Sequence, residues 1–169
     1  MRVYLPSTLP ALTELLHTGE IGPAPVRGFA VTPALREWYS SGDLEELEYV
    51  AMMYAARKSL RLLATDPAAP TRRVVLAAEL PDGPSGAIAA TSGAGFDEAA
   101  LVRINRPVEL RDLVSVHVDD PSASSEIGIA VASILAADSG DEDAKFVVDG
   151  AEDYELQWYA TQEIADLLA

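Results

Sequence analysis

Apolar and polar residues alternate in periods that predict strands and helices mixed along the chain. Two-residue alternation and short apolar runs predict strands at residues 2–5, 26–31, 72–80, 101–105 and 113–118. Helical periods follow the N-capping residues Thr8, Thr32, Asp43 and Asp120. Since the two element types mix throughout, the sequence predicts an α/β (α+β) fold, in which helices pack on a mixed β-sheet. Two ferredoxin-like halves are the alternative.

Residues 43–64 carry the strongest helical pattern. Acidic side chains lie in the early turns and basic ones near the end, which suits the helix dipole at both termini. Residues 50–56 are apolar on nearly every side, so we expect a central helix that the rest of the chain covers. The alternative is a homodimer through helix 43–64, because obligate interfaces resemble a core cut in half.

Two further segments have weaker patterns. Residues 81–95 are rich in glycine, alanine and proline and nearly uncharged, which predicts a flexible loop over 81–99. We expect a single domain over 1–169, with subdomains 1–80 and 100–169 joined by that loop as the alternative. Near the carboxyl end, residues 145–148 and 154–159 are predicted to form two short strands around the Asp149-Gly150 turn.

The charge is strongly acidic and uneven. The 169 residues carry a net charge of −15. Residues 112–169 hold 14 Asp/Glu and one Lys/Arg, so they contribute −13 of it. Nucleic-acid binding through a basic face is therefore not expected, whereas a basic protein partner is compatible with this field. Solubility is the simpler explanation of the acidity.

Composition narrows the chemistry and the compartment. The chain has no cysteine and only two histidines, so we expect neither a metal site nor a cofactor. The longest apolar run, residues 127–137, is far shorter than the ~20 residues that span a bilayer, and no membrane association is expected. Polar and proline residues interrupt residues 6–14, so no signal peptide is expected and the predicted location is cytoplasmic.

Three threonines follow aromatic-bearing strands at predicted strand-to-helix corners. They are Thr8, Thr32 and Thr161. If the strands were parallel neighbours, these hydroxyls would join free helix N–H groups in one crevice suited to phosphate or carboxylate. Helix capping alone explains the same residues. We therefore keep the three threonines as candidate ligand-binding residues beside the capping interpretation.

His117 and Asp119 are the candidate catalytic residues. They are two positions apart in a predicted strand, so their side chains lie on the same face and suit a general base with its orienting carboxylate. A structural hydrogen bond is the simpler interpretation. The aromatic pairs Trp38-Tyr39 and Trp158-Tyr159 offer surfaces on which a ligand could stack, but their size predicts the core instead.

Four segments resemble an uncharacterised protein family of high-GC actinobacteria. They are MRVYLP at 1–6, AVTPALREWY at 30–39, DLEELEY at 43–49 and GAEDYELQWYATQEI at 150–164. The resemblance implies a cytoplasmic bacterial protein of about this length. It implies no activity, cofactor or catalytic residue.

The function that these patterns favour is a non-catalytic binding or interaction module. No nucleotide-binding glycine loop, nucleophile elbow or metal motif is present. The alternative is a small enzyme or ligand sensor that acts on an anionic metabolite at the threonine corners.

Overall fold

The computed structural model describes residues 1–90 and 97–169. Within these residues, seven strands form one main sheet in the order β5-β6-β3-β1-β4-β8-β9. Every pair of neighbouring strands in the main sheet is antiparallel, and β2 pairs with β7 separately. The strands are β1 Arg2–Ser7, β2 Glu20–Ile21, β3 Val26–Ala30, β4 Val74–Glu79, β5 Ala87–Ala89, β6 Leu101–Ile104, β7 Val108–Glu109, β8 Leu113–Asp119 and β9 Leu156–Tyr159.

Helices cover both faces of the main sheet, which makes this an α+β fold. They are α1 Leu9–Thr18, α2 Pro33–Trp38, α3 Leu44–Ala64, α4 Ser124–Asp138, α5 Glu142–Asp149 and α6 Ile164–Leu168. One apolar cluster joins α1 and α6 to one face. A second joins α2 and α3 to the other face. A third lies between the end of α3 and helix α4. None of the helices within the described residues is both long and apolar enough to cross a membrane.

Helix α3 forms as its pattern predicts. The Asp43 carboxylate accepts a hydrogen bond from the Glu46 N–H at 2.9 Å, and the Glu46 carboxylate accepts one from the Asp43 N–H at 3.3 Å, which satisfies two free donors. The apolar centre packs against the main sheet, where Ala51, Ala55 and Ala56 are fully buried. This packing explains the apolar run without a second chain, so the homodimer stays a prediction.

The loop predicted over 81–99 contains regular structure. Residues Ala87–Ala89 form strand β5, which pairs with β6 at the edge of the main sheet, and Asp97–Ala100 form a 3-10 turn. Residues 91–96 of that predicted loop lie outside the described residues. The small side chains of β5 carry little hydrophobic pattern, which is why the sequence does not predict this strand.

The strand predicted at 145–148 is wrong, because these residues belong to helix α5. The Asp141 carboxylate caps this helix by accepting from the Ala144 N–H at 3.0 Å, and Glu142 and Asp143 occupy its first turn. Acidic residues at a helix N-terminus interact favourably with its dipole. The apolar run that suggested a strand includes Phe146, whose side chain is 81% exposed.

The three strands of the main sheet that precede residue 81 form its centre, and the strands that follow flank them on both sides. β6 pairs with β3, and β8 pairs with β4. The strands thus share one continuous antiparallel sheet, and the division into two ferredoxin-like halves stays a prediction. The central strand is β1, which pairs with β3 on one side and β4 on the other.

Candidate functional site

The structure does not bring the three candidate threonines together. Thr8 follows β1 and Thr32 follows β3, and these neighbouring strands are antiparallel, so the two residues lie at opposite ends of the sheet. Thr161 follows β9, which runs in the same direction as β3, but β1, β4 and β8 lie between them. Four strand spacings of about 4.8 Å separate these two corners by roughly 19 Å. A shared crevice would have required parallel neighbours.

Two of the threonines cap helices, as the simpler interpretation predicts. The Thr8 hydroxyl accepts from the Ala11 N–H at 3.3 Å, and the buried Thr32 hydroxyl accepts from the Leu35 N–H at 3.1 Å. Thr32 also donates to the Ala99 carbonyl.

The cap predicted at Thr161 is wrong. Residues Thr161–Glu163 form a 3-10 turn, in which the Glu163 carboxylate accepts from the Ala160 N–H at 2.7 Å. The Thr161 hydroxyl instead donates to the Leu113 carbonyl at 3.4 Å.

Asp119 is held by a buried ion pair with Arg73. Its carboxylate accepts three hydrogen bonds from that residue, from the backbone N at 2.7 Å, from Nε at 2.9 Å and from Nη2 at 2.8 Å. The two side chains are 2% and 0% exposed. Arg73 Nη2 also donates to the Tyr154 carbonyl, 2.8 Å away. These bonds fasten the start of β4 to the end of β8, so Asp119 is committed to the fold rather than to orienting His117.

His117 pairs with a serine in place of that carboxylate. Its Nε2 lies 3.0 Å from Ser115 Oγ, two residues earlier on the same face of β8. Burial lowers the pKa of His117, and the positive charge of Arg2 lowers it further. The ring is therefore neutral at pH 7. A neutral imidazole in contact with a hydroxyl can accept its proton, but the carboxylate expected to orient the ring is bound elsewhere.

His117 and Ser115 lie on the floor of an open cleft between α3 and the β1-β4-β8-β9 part of the sheet. We call it the aromatic cleft, and its volume is about 250 Å³. Trp158 of β9 stands directly opposite His117 in the register of the two strands. The residues that line the aromatic cleft are Arg2, Tyr4, Glu45, Glu48, Tyr49, Met52, Ala77, Ser115, His117 and Trp158.

Carboxylates of α3 set the electrostatics of the aromatic cleft. The Tyr4 hydroxyl donates to Glu48 Oε2 at 3.2 Å, and burial together with this carboxylate raises the pKa of Tyr4 to about 12. Arg2 Nε donates to Glu79 Oε2 at 2.8 Å, which neutralises the arginine locally. Glu45 and Glu48 therefore leave the described lining acidic, and the tyrosine remains an uncharged donor at neutral pH.

The sequence predicted that the tryptophans are buried, which is wrong. Trp158 is 62% exposed and Trp38 is 57% exposed. Trp158 lies on β9, an edge strand of the main sheet, beyond the part of the sheet that α3 covers. A signal for this position exists in the sequence, since Glu155 precedes a short strand and Gln157 lies within it, in a strongly acidic region, as is typical of a sheet edge.

The described residues offer no cluster of three or more histidine, aspartate or glutamate side chains that could hold a metal ion. A model of a family of unknown function, DUF6912, matches residues 1–168. The chain belongs to DUF6912. No curated protein and no solved structure matches this DUF6912 chain. The family places the chain among relatives without assigning an activity, so the aromatic cleft is the basis for a functional proposal.

Proposed function

We propose that this DUF6912 protein is a non-catalytic interaction module whose aromatic cleft binds a lysine or arginine side chain of a basic protein partner. The observation that carries the proposal is the meeting of exposed aromatic rings with carboxylates around one cavity. Trp158 is 62% exposed and Tyr49 is 50% exposed there, beside Glu45 and Glu48. Aromatic faces and carboxylates both attract cations.

The size of the aromatic cleft favours a single side chain. Its volume of about 250 Å³ lies below the ~300–1,000 Å³ of pockets that enclose drug-sized ligands. A lysine or arginine side chain is long and narrow, and its aliphatic stem suits the surface of Met52 and the Trp158 ring.

The protonation states at neutral pH favour a cation as the guest. The lowered pKa of His117 keeps the ring uncharged, and the raised pKa of Tyr4 keeps its hydroxyl as a neutral donor. Among the described lining residues, the positive charge of Arg2 is already paired with Glu79. An entering guanidinium or ammonium group therefore meets carboxylates without an opposing free cation.

The charge of the whole chain supports a protein partner over a free amine. A net charge of −15 attracts a basic surface over a long range and raises its association rate. The edge position of β9 also leaves Trp158 accessible to a large partner. We place this encounter in the cytoplasm of an actinobacterium, as the sequence and its family resemblance predict.

The test is calorimetric titration with the acetylated and amidated peptide Gly-Arg-Gly-Arg-Gly. The same peptide with citrulline in place of arginine is the uncharged control. We expect saturable binding of the arginine peptide and a loss of about tenfold in affinity, or ~1.4 kcal/mol, for Glu48→Gln or Trp158→Phe. Glu37→Gln and Trp38→Phe are the matched controls, since they make the same chemical changes at exposed positions on α2.

Two results would contradict the proposal. The first is a failure of the arginine peptide to bind at low ionic strength. The second is binding that both glutamate variants weaken equally, because the cause would then be the overall acidity of the chain and not the aromatic cleft.

The homodimer through helix 43–64 is a separate proposal about assembly. The side chains of α3 that remain open to a second copy include Tyr49 and Leu44, both about half exposed. Light scattering at high micromolar concentration tests it directly, since a mass of 18.0 kDa rather than twice that value would rule the dimer out.

A further inference from the structure

Two arginines lie directly opposite each other on the face of the main sheet that α3 covers, away from the aromatic cleft. Arg27 of β3 and Arg103 of β6 are paired in register, and both side chains are exposed. Like charges that face each other across an antiparallel pair destabilise it. No ion pair within residues 1–90 and 97–169 involves either arginine. This arrangement costs the fold stability in a chain that has only 12 basic residues.

A third cation faces the same region. Arg27 lines two cavities, one of about 200 Å³ shared with Arg103 and one of about 270 Å³ shared with Lys58. Arg61 also lines the second cavity, but both of its terminal nitrogens donate to Asp138 at 2.8 Å. Among the described residues that line these cavities, Glu98 is the only carboxylate. We call these three cations, Arg27, Arg103 and Lys58, the basic patch. Their positive charge exceeds the negative charge of the described lining residues.

The floor between these cations is apolar. Leu101 lines both cavities, Ile88 lines the first and Phe29 lines the second. Guanidinium groups bind phosphate through two parallel hydrogen bonds, and two facing arginines match its double negative charge. We propose that the basic patch binds an organic phosphate, with the phosphate between Arg27 and Arg103 and the apolar part of the ligand on Leu101.

This site is independent of the aromatic cleft, because the two share no lining residue. An extended nucleic acid does not fit it. A long phosphate chain would continue beyond the basic patch into the field of a protein with a net charge of −15. A small phosphate ester occupies the patch alone.

Calorimetric titration at low ionic strength with phenyl phosphate tests the proposal, with inorganic phosphate and phenol as partial probes. We expect one binding site and a tighter dissociation constant for phenyl phosphate than for inorganic phosphate. Arg27→Gln and Arg103→Gln should each weaken binding at least tenfold. Arg103→Lys, which keeps the charge but not the bidentate geometry, should fall between the glutamine variant and the wild type. Lys145→Gln on α5 is the matched control, since it removes one positive charge elsewhere and should change affinity less than twofold.

Thermal unfolding without ligand gives a second readout that a purely structural arginine would not produce. If the two arginines repel each other in the absence of an anion, Arg103→Gln raises the melting temperature of the unliganded protein. A lower melting temperature would show that Arg103 stabilises the fold and would overturn the proposal. Non-saturable binding would overturn it as well. So would equal losses of affinity in Arg27→Gln, Arg103→Gln and Lys145→Gln. Tighter binding of a single-stranded oligonucleotide than of phenyl phosphate would also overturn it. Equal affinity for phenyl phosphate and inorganic phosphate would overturn the role of the apolar floor.

Discussion

Replacing Asp119 with asparagine tests how much of the fold depends on one buried ion pair. The wild-type carboxylate accepts three hydrogen bonds from Arg73. An asparagine keeps one acceptor oxygen but turns an amide N–H₂ toward a buried guanidinium, whose other acceptor is the Tyr154 carbonyl. Breaking a buried pair by removing one charge costs about 3–5 kcal/mol, because the remaining charge has lost its partner. That is a large part of the roughly 5–15 kcal/mol by which domains are stable.

Asp138→Asn is the matched control, because it makes the same change in a pair of similar geometry. Arg61 Nη1 and Nη2 each donate to the Asp138 carboxylate at 2.8 Å, but these side chains are 51% and 46% exposed. An exposed pair is worth about 0–1 kcal/mol. The comparison therefore isolates burial from hydrogen-bond geometry.

Urea unfolding followed by circular dichroism measures the difference. A loss of about 4 kcal/mol with a slope of ~2 kcal/mol/M lowers the midpoint for Asp119→Asn by about 2 M. The midpoint for Asp138→Asn should fall by less than about 0.5 M. Equal shifts for the two variants would refute the reasoning, since burial would then not decide what the pair contributes. Failure of Asp119→Asn to accumulate as folded protein, with Asp138→Asn normal, agrees with it.

The remaining predictions concern pH and packing. The lowered pKa of His117 means that the unfolded chain takes up a proton before the folded one, so the free energy of unfolding should fall as the pH drops below about 6.5, while most carboxylates stay ionised down to about pH 5. His117→Gln should flatten that decline measured by urea unfolding between pH 5 and 7, with His17→Gln as the control; an unchanged slope would contradict it. Gly28→Ala should lower the free energy of unfolding, measured with urea, by roughly 1–3 kcal/mol, since a Cβ there would lie 2.7 Å from Val3 Cγ1 and 2.8 Å from Leu5 Cδ2. Gly150→Ala, where nothing lies within 4 Å, is its control, and similar losses in both variants would refute the packing argument.

Capping residues and hydrophobic periods predicted individual helices and strands better than they predicted which strands pair. Helix α3 was predictable because its caps, charge order and apolar centre all agree. Helix α5 was missed because its short apolar run resembles a strand, and the capping role of Asp141 is visible only once the helix is assumed.

The candidate site could not be predicted, because it depends on strand pairing. Strand direction decides whether Thr8 and Thr32 meet, and no local pattern states that β1 and β3 are antiparallel. The alternation of residues correctly placed His117 and Asp119 on one face of β8. It could not show that Arg73, 46 residues earlier, binds Asp119, or that Trp158 of β9 lies opposite His117 of β8.

The central position of β1 has a consequence for how the chain folds. This strand precedes the other strands of the sheet along the sequence, yet one of its two neighbours is β4, where Ser7 pairs with Val74. The middle of the sheet therefore closes only after the chain between Ser7 and Val74, residues 8–73, has been drawn together. Such distant pairings raise the contact order, which slows folding. Until β4 has been synthesised, one edge of β1 stays unpaired and prone to aggregation.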